Sequence, residues 1–215
     1  MDQDAFYFIN HFLARPGLDV LMAVASSWDF SWPFLMAGGL GVLIFGGFHA
    51  RAMVLVAGVS VGMTDGAVVN PLKHMVGRPR PHEILSGART LDLAKARPRF
   101  LALWQPLKEN YSRPGSPPAR GNSFPSGHAT NVFALATVAA VFYRRWGWLA
   151  YFPAALVSYS RIYVGSHWPL DILFSCFLGT GIALLSARAL EACWRHWGAK
   201  ALPQVCAAHP SLIAP

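Results

Sequence analysis

The chain has 215 residues, a length that suits one domain. Hydrophobic residues make up 54% of it and charged residues only 13%, whereas an average soluble protein carries about 25% charged residues. The composition therefore argues against an ordinary soluble domain and indicates a protein that resides in a membrane.

The net charge of +8 is unevenly distributed along the chain. The stretch from Lys73 to Pro125 contains ten basic and three acidic residues, nearly the whole positive excess. A local field of this kind attracts anionic partners. Because apolar segments flank the stretch, we expect an anionic lipid head group and membrane lipids as partners, and no nucleic acid. For residues outside the motifs below, a solvated basic loop beside acidic phospholipids is the alternative.

The cysteines, Cys176, Cys193 and Cys206, have neither CxxC nor metal-type spacing, so we expect no disulfide framework and no metal site from them. The first residues, Met1 to Asp4, are acidic rather than basic, unlike a cleavable signal. Membrane insertion is therefore expected to rely on internal apolar segments.

The N-terminal residues 5–29 carry apolar side chains at helical spacing, interrupted between Arg15 and Asp19. This pattern predicts two short amphipathic helices at the membrane interface, or a weak first span.

Five stronger apolar segments follow and predict transmembrane helices, although several are shorter than the ~20 residues that a lipid-exposed helix needs. They cover approximately residues 34–48, 52–72, 127–142, 149–163 and 170–190. Between the second and third lies the hydrophilic stretch 82–124, rich in proline and glycine. Loops of this length are functional or disordered, and its apolar spacing predicts one short amphipathic helix, from Leu101, Leu103, Trp104 and Leu107.

The predicted fold class is thus all-α: a polytopic membrane helical bundle with a long extracytoplasmic loop. Its expected parts are an N-terminal region over 1–33, a membrane domain over 34–200 with the 82–124 insertion, and a tail over 201–215. Basic residues follow alternate spans and mark the cytoplasmic side by the positive-inside rule: Arg51, Arg144, Arg145, Arg188, Arg195 and Lys200. We therefore expect a multi-pass protein of the inner (plasma) membrane.

Three polar motifs stand out, and alternation of the spans places them on one face of the membrane. They run from Lys73 to Pro81, from Pro125 to His128, and from Ser160 to Asp171. The cations Lys73, Arg80 and Arg161 are costly at a membrane edge unless a bound dianion compensates them. Arginine forks and a lysine point charge suit phosphate oxygens.

Ser126 and Gly127 are predicted to open a helix whose N–H groups and positive dipole end bind an anion. Glycine lets the backbone approach the ligand closely. Together with the three cations, this helix start is suited to hold the equatorial oxygens of a phosphoryl group in its transition state.

The two motif histidines complete a reaction site. His167 and Asp171 are four residues apart, so a helix would place them on one face. The carboxylate would fix the imidazole tautomer and leave the other ring nitrogen free to attack phosphorus. His128 would protonate the leaving oxygen and later accept a proton from water.

Other polar residues have plainer interpretations. We expect His74 and His82 to be structural or exposed and Ser160 to be a packing hydroxyl. Arg78 suits a loop cation as well as a site residue, and Asp65 suits a functional role as well as a hydrogen bond to a neighbouring helix.

The motifs resemble the signature of the type 2 phosphatidic acid phosphatase superfamily: K-x6-R-P, P-S-G-H and S-R-x5-H-x3-D. Here they read Lys73 to Arg80-Pro81, Pro125 to His128, and Ser160-Arg161 to His167 and Asp171. The resemblance covers residues 34–190. It implies a helical bundle with its pocket at the extracytoplasmic surface, His167 as nucleophile, Asp171 as its partner and His128 as general acid. It also implies no metal or cofactor, and phosphate binding by Lys73, Arg80, Ser126, Gly127 and Arg161.

The expected activity is hydrolysis of a lipid phosphomonoester or diphosphate through a phosphohistidine. Undecaprenyl diphosphate is the first choice, followed by phosphatidylglycerophosphate, phosphatidate and lipid A phosphates. The alternatives are a lipid phosphotransferase, a vanadate-dependent haloperoxidase, whose family has a similar pattern but is soluble, and a non-catalytic membrane binder or transporter.

Overall fold

The computed structural model describes residues 1–113 and 121–213. Residues 114–120, which belong to the predicted basic loop and include Arg120, and residues 214–215 lie outside the described part. The described chain is mostly helical, with one two-stranded sheet. The α-helices are α1 Asp2–Tyr7, α2 Pro16–Ser26, α3 Trp28–Phe45, α4 Phe48–Met63, α5 Asn70–Val76, α6 Pro81–Ile84, α7 Gly127–Phe142, α8 Tyr151–Tyr163, α9 Pro169–Cys193, α10 Ala199–Ala201 and α11 Pro203–Ala208.

Short segments of other helix types join several of these elements. The π-helical segments are Phe8–Phe12, Thr64–Val69 and Trp194–Gly198, and the 3₁₀ segments are Arg99–Trp104 and Gly147–Ala150. Because Thr64–Val69 links α4 to α5 without a break, Lys73 lies at the far end of one long helical rod that begins at Phe48.

Three helical stretches of the described chain are long and apolar enough to cross a membrane: Trp28–Phe45, Phe48–Ile84 and Pro169–Ala201. The predicted count of five spans is therefore not confirmed. Helix α7 is apolar but has only 16 residues, and α8 has 13. Both pack against protein, since α7 contacts α4, α8 and α9, and a helix surrounded by protein does not need the full length of a lipid-exposed span.

The N-terminal region forms the predicted short helices, α1 with its π-helical continuation and α2. Helix α3 begins at Trp28, six residues before the predicted span. Ser27 has an extended backbone (φ −86°, ψ 107°), which separates α2 from α3 and provides the helix start. Pro33 lies in the second turn and did not end the helix. None of the α3 residues is buried, as expected of a helix that faces lipid.

The central core lies where α4, α7 and α9 meet. Small side chains allow close packing there, and its buried apolar residues are Ala52, Val56, Ala134, Val138, Phe142, Ala183, Ala187 and Leu212. Helices α7 and α9 approach closely at Gly179 of α9, where an added Cβ would overlap the carbonyl oxygen of Thr130 in α7. A glycine at this position therefore sets the spacing between the two helices.

The loop between α6 and α7 contains a β-hairpin, which corrects the all-α prediction. Strands β1 Arg89–Asp92 and β2 Lys108–Tyr111 are antiparallel, with Arg89 opposite Tyr111 and Asp92 opposite Lys108. The predicted amphipathic helix is present as the 3₁₀ segment Arg99–Trp104. In β1, Arg89 and Leu91 are buried and alternate with less buried neighbours, the pattern of a strand with one covered face.

The hairpin is fixed to the bundle by a buried ionic network around Arg89. Its guanidinium donates hydrogen bonds of 2.5 Å to Asp19 and to Glu109 and lies 5.7 Å from the ring centre of Tyr163. Burial opposes the charged form, but the two carboxylates outweigh it and raise the pKa of Arg89 above its ordinary value. The loop is thereby attached to α2 and to the end of α8, beside the motif that contains His167.

Candidate active site

The three polar motifs converge at one end of the bundle. Lys73 lies on α5, and Arg80 immediately precedes α6. Ser126 caps α7, whose first residues are Gly127 and His128. The third motif spans the end of α8 and the start of α9 and carries Arg161, His167 and Asp171. The imidazole of His128 is close enough to interact electrostatically with four residues of the other two motifs: Lys73, Arg80, Arg161 and His167. The structure thus brings the predicted residues together.

His167 lies in the short connection between α8 and α9, with only 3% of its surface exposed. Its Nδ1 is 2.6 Å from the carbonyl oxygen of Ser123. A carbonyl can only accept a hydrogen bond, so Nδ1 carries the proton of the neutral ring. The unprotonated nitrogen is then Nε2, the atom that a nucleophilic role requires.

Asp171 contacts His167 less directly than its spacing predicts. Its Oδ2 is 3.9 Å from Nδ1 of His167, beyond hydrogen-bond distance. The reason is that α9 begins at Pro169: His167 precedes the helix, so the four-residue helical spacing does not apply. Asp171 instead caps its own helix, accepting a 3.2 Å hydrogen bond from the N–H of Trp168.

Ser123 connects the two residues. Its Oγ donates a 2.5 Å hydrogen bond to Oδ2 of Asp171, and its carbonyl accepts from His167. On the other side of the carboxylate, Arg78 donates a 2.5 Å hydrogen bond to Oδ1. The Asp171 carboxylate is fully buried, and these donors compensate for the water it has lost.

The environment of His167 favours its neutral form. Burial lowers its pKa from 6.5 to about 4, and the nearby charges of Arg161 and Arg80 act in the same direction, whereas Asp171 opposes them. The imidazole is therefore neutral at physiological pH, and its Nε2 is available to attack an electrophile.

His128 is in the first turn of α7. Its Nε2 is buried and has no hydrogen-bond partner among the described residues. The Trp28 ring packs edge-on against the imidazole, with ring centres 6.1 Å apart. A buried ring nitrogen without a protein partner is suited to exchange a proton with a ligand.

The start of α7 is held by α9. The N–H of Ser126 donates a 2.8 Å hydrogen bond to Oγ of Ser175, whose hydroxyl in turn donates to the Asp171 carbonyl. The Ser126 N–H is thus occupied, and the helix N–H groups that remain for an anion begin at Gly127. Oγ of Ser126 is buried without a partner among residues 1–113 and 121–213.

Two cavities meet at His128. A largely apolar cavity of about 740 Å³ contains Lys73, Gly127 and His128 at one end and extends between α3, α4, α7 and α8 to Pro153. A polar cavity of about 500 Å³ lies under the hairpin and also contains Arg161. Ser27, Trp28 and His128 line both cavities.

The remaining polar residues mostly follow their plainer interpretations. Asp65 accepts hydrogen bonds of 3.1 and 3.0 Å from the Asn131 amide of α7, which is one of the two roles that the sequence left open for it. Ser160 donates to the Val157 carbonyl of its own helix. His82 bonds the Gly165 carbonyl at 2.9 Å, and His74 is exposed.

Sequence reasoning missed Ser123, Ser175 and Asp2, and left Arg78 undecided. Asp2 pairs with Arg78 at 2.5 Å and accepts from the Leu170 N–H. No spacing rule connects residue 2 or a serine in a long loop to a helix start near residue 170. Only the position of Arg78, between Lys73 and Arg80, offered a signal. Among the described residues, no group of three or more His, Cys, Asp or Glu is arranged to hold a metal ion.

The sequence pattern of the PAP2 superfamily matches residues 52–195, which include all three motifs. The chain belongs to the PAP2 superfamily. The predicted resemblance is thereby confirmed, and together with the apolar helices it indicates a membrane location.

The chain is similar to several curated phosphatases over part of their length. It is 46% identical over 67 residues to an undecaprenyl-diphosphatase of Sulfolobus acidocaldarius, covering 31% of this chain and 32% of that protein. It is 30% identical over 150 residues to undecaprenyl-diphosphatase BcrC of Bacillus subtilis, covering 69% and 64%. It is 33% identical over 92 residues to a lipid A 4'-phosphatase of Porphyromonas gingivalis, covering 42% and 37%. The chain thus matches less than two thirds of each relative.

Among solved structures, Aquifex aeolicus LpxE has a similar fold. The TM-score is 0.62 at 23% sequence identity, and the alignment covers 87% of this chain and 94% of that one. At this identity the likeness concerns the fold alone.

Proposed function

We propose that this protein is a membrane phosphatase that removes phosphate from a lipid through a phosphohistidine on His167, with undecaprenyl diphosphate as first-choice substrate. The observation that carries the proposal is the hydrogen bond from Nδ1 of His167 to the Ser123 carbonyl, which leaves Nε2 unprotonated. Lys73, Arg80 and Arg161 surround this imidazole and its partner His128 with positive charge.

In the first step, Nε2 of His167 attacks phosphorus. The N–P bond forms while the bond from phosphorus to the leaving oxygen breaks, and His128 donates a proton to that oxygen. Lys73, Arg80, Arg161 and the α7 N-terminus hold the three equatorial oxygens. In the second step, His128 accepts a proton from water, the water oxygen attacks phosphorus, and inorganic phosphate and free His167 result.

Asp171 acts on the nucleophile through Ser123. By accepting from Oγ of Ser123, it orients the residue whose carbonyl holds His167. Its negative charge, 3.9 Å from Nδ1, also stabilises the cationic imidazole of the phosphohistidine. In this arrangement the carboxylate does not bond the histidine directly. It would still orient the imidazole and stabilise its cationic form, as a directly bonded carboxylate does.

The apolar cavity supports a lipid substrate. It reaches from Lys73 and His128 to Pro153, so a phosphate at its polar end places a hydrocarbon tail along α3 and α7. Most of its other lining residues are apolar, the exceptions being Ser27, Ser31, Asp65, Asn70 and Asn131. A tail against the apolar part removes apolar surface from water. Small water-soluble phosphates would gain nothing from this part of the cavity.

The relatives favour undecaprenyl diphosphate as the first choice, since several carry that activity in their names. The lipid A 4'-phosphatase keeps a lipid A phosphate among the candidates, with phosphatidylglycerophosphate and phosphatidate. We place the site on the extracytoplasmic face of the inner membrane. The opposite end of the bundle contains Arg51 and Arg144, as the positive-inside rule requires of a cytoplasmic end.

A lipid panel in detergent tests the proposal. We expect phosphate release without added magnesium, undiminished by a chelator and inhibited by vanadate, which mimics the pentacoordinate transition state. His167→Ala should abolish release, whereas the exposed His74→Ala should retain it. A phosphohistidine that is stable in alkali and labile in acid should form from substrate labelled in its terminal phosphate. Loss of activity on metal removal, or full activity of His167→Ala, would contradict the mechanism. Label that passes to a lipid alcohol instead of water would identify a phosphotransferase.

A further inference from the structure

The polar cavity adjoins the apolar cavity at Ser27, Trp28 and His128, and part of its wall comes from the loop insertion. Its charged and titratable lining residues are Asp29, His82, Asp92, Arg99, Lys108, His128 and Arg161. Strand β1 supplies Thr90 and Leu91 to the wall, and β2 supplies Lys108 and Asn110. The hairpin therefore forms a polar compartment next to the proposed general acid.

Two guanidinium groups of this compartment have unused donors. The Nε atoms of Arg99 and Arg161 are buried without a hydrogen-bond partner in the part of the chain that the structure describes. The proposed reaction already uses Arg161 for the reacting phosphate, so Arg99 is the guanidinium that remains for a second phosphate. Arg161 is otherwise anchored through Nη1 to Ser26, and Arg99 to the Ala94 carbonyl at 2.8 Å. Buried unsatisfied N–H groups are costly, and an anion in the compartment would remove that cost.

The positive charge of the compartment is not fully neutralised by its own carboxylates. Asp92 lies 3.9 Å from Arg99, a loose pair at an exposed carboxylate. Lys108 forms no ion pair within residues 1–113 and 121–213, although it is opposite Asp92 in the hairpin register. Asp29, the other carboxylate of the lining, is exposed. One phosphate group fits this combination of charge and unused donors.

Because His128 lines the polar cavity, its proposed role indicates which phosphate of a substrate would bind there. In the proposed reaction His128 protonates the oxygen that leaves phosphorus, so the group attached to that oxygen lies on the His128 side. For a lipid diphosphate that group is the inner phosphate. We propose that the polar cavity is the subsite for the inner phosphate of a lipid diphosphate, and that Arg99 and Lys108 determine the preference for diphosphates. The inference rests on the proposed function.

Cleavage of the diphosphate can be written in full with the inner phosphate in the polar cavity. Nε2 of His167 bonds to the terminal phosphorus, the bond from that phosphorus to the bridging oxygen breaks, and its electron pair remains on the inner phosphate. The lipid monophosphate leaves with one more negative charge, or with the His128 proton. Arg99 and Lys108 would stabilise this developing charge, so they would act mainly on the rate and less on ground-state binding.

The test compares farnesyl diphosphate with farnesyl phosphate as matched probes. We expect Arg99→Gln and Lys108→Gln each to lower the ratio of kcat/KM for diphosphate over monophosphate by about ten-fold, the effect of one charge-assisted contact. Lys95→Gln removes an exposed loop cation that does not line the cavity and should leave the ratio unchanged. Lys108 is exposed on β2, so its variant should fold even if Arg99→Gln does not.

Two outcomes would overturn the inference. One is an unchanged ratio in both variants, including an equal loss with both substrates, and the other is a loss confined to the monophosphate. A wild-type protein that releases phosphate from neither probe, nor from the wider lipid panel, would instead overturn the proposed function and the inference with it. Full activity of the wild type with an unchanged ratio in the variants would remove the inference alone.

Discussion

Arg78 and Asp171 form an ion pair of 2.5 Å at the base of the candidate site. Arg78 also pairs with Asp2 at 2.5 Å and lies 5.1 Å from the ring centre of Trp168. Because the Asp171 carboxylate is buried and orients Ser123, this arginine supports the hydrogen bond that fixes the tautomer of His167. A cation that the sequence left undecided is thus linked through Asp171 and Ser123 to His167, the proposed nucleophile.

We expect Arg78→Gln to lower kcat at least ten-fold while KM changes little, and to lower the Tm. The buried carboxylate loses its charged partner, and breaking such a pair costs up to about 3–5 kcal/mol, less here because Arg78 is partly exposed. Arg78→Lys should recover part of the activity. Arg97→Gln, at an exposed loop position, is the matched control. A rise in KM at constant kcat would instead indicate direct substrate binding by Arg78.

Burial of His167 predicts a pH-dependent stability. The folded pKa of about 4 lies below the ordinary 6.5, so folding favours the neutral ring. Stability from this residue is complete above pH 6.5 and declines as the pH falls towards 4, because the unfolded chain gains a proton that the folded chain resists. The expected loss is about 3 kcal/mol over that window.

Thermal unfolding in detergent between pH 7 and pH 4 measures this loss. His167→Gln cannot be protonated, so its Tm should fall less steeply than that of the wild type, and the difference between the two curves isolates His167 from other titrating groups. Parallel curves would show that His167 is not the group responsible. The kcat/KM of the wild type should likewise decline on the acid side only as the pH approaches 4.

The sequence predicted the motifs and their convergence better than their contacts. Lys73, His128 and His167 could be assigned because signature spacing and span alternation restrict where chemistry can occur. The link through Ser123 could not be found, because it depends on α9 beginning at Pro169, which turns the Asp171 side chain back on its own helix end. When a helix begins a few residues later than predicted, different side chains come into contact. Helix boundaries are the part of a structure that a sequence pattern predicts least accurately.

The loop insertion shows the other limit of sequence reasoning. Proline, glycine and charge predicted a long loop over 82–124 with one short amphipathic helix, whereas Arg89 and Leu91 are buried in a hairpin against the bundle. The hairpin can bury Arg89 because the guanidinium pairs with Asp19, which is distant in the sequence. Arg89 and Asp19 are 70 residues apart, so no local sequence pattern reveals that they pair. For the same reason the polar cavity under the hairpin could not be predicted.

Gly165 is expected to be essential for the position of His167, two residues further on. Its φ of +78° is left-handed, and an added Cβ would overlap the Arg89 carbonyl oxygen. Gly165→Ala should therefore cost about 1–2 kcal/mol in backbone strain and a further 1–3 kcal/mol from the overlap. Gly77→Ala is the matched control, since Gly77 is also left-handed (φ +61°) but has open space around it. Chemical denaturation should rank the stability of Gly165→Ala well below that of Gly77→Ala, and equal losses would contradict the close approach of Gly165 to Arg89 of the hairpin.

Two glycines of α9 should respond to alanine with opposite signs. At Gly179 the new methyl group overlaps the Thr130 carbonyl of α7, whereas at Gly181 nothing lies within 4 Å. Alanine is favoured over glycine in a helix interior by about 1 kcal/mol, so Gly181→Ala should raise the Tm slightly. At Gly179 the overlap reverses this gain and should produce a net loss of about 1–3 kcal/mol. Because α7 carries His128 and α9 carries Asp171, Gly179→Ala should also lower kcat. Thermal unfolding in detergent and phosphate release measure both effects, and a stabilised Gly179→Ala variant would disprove the close packing of α7 against α9.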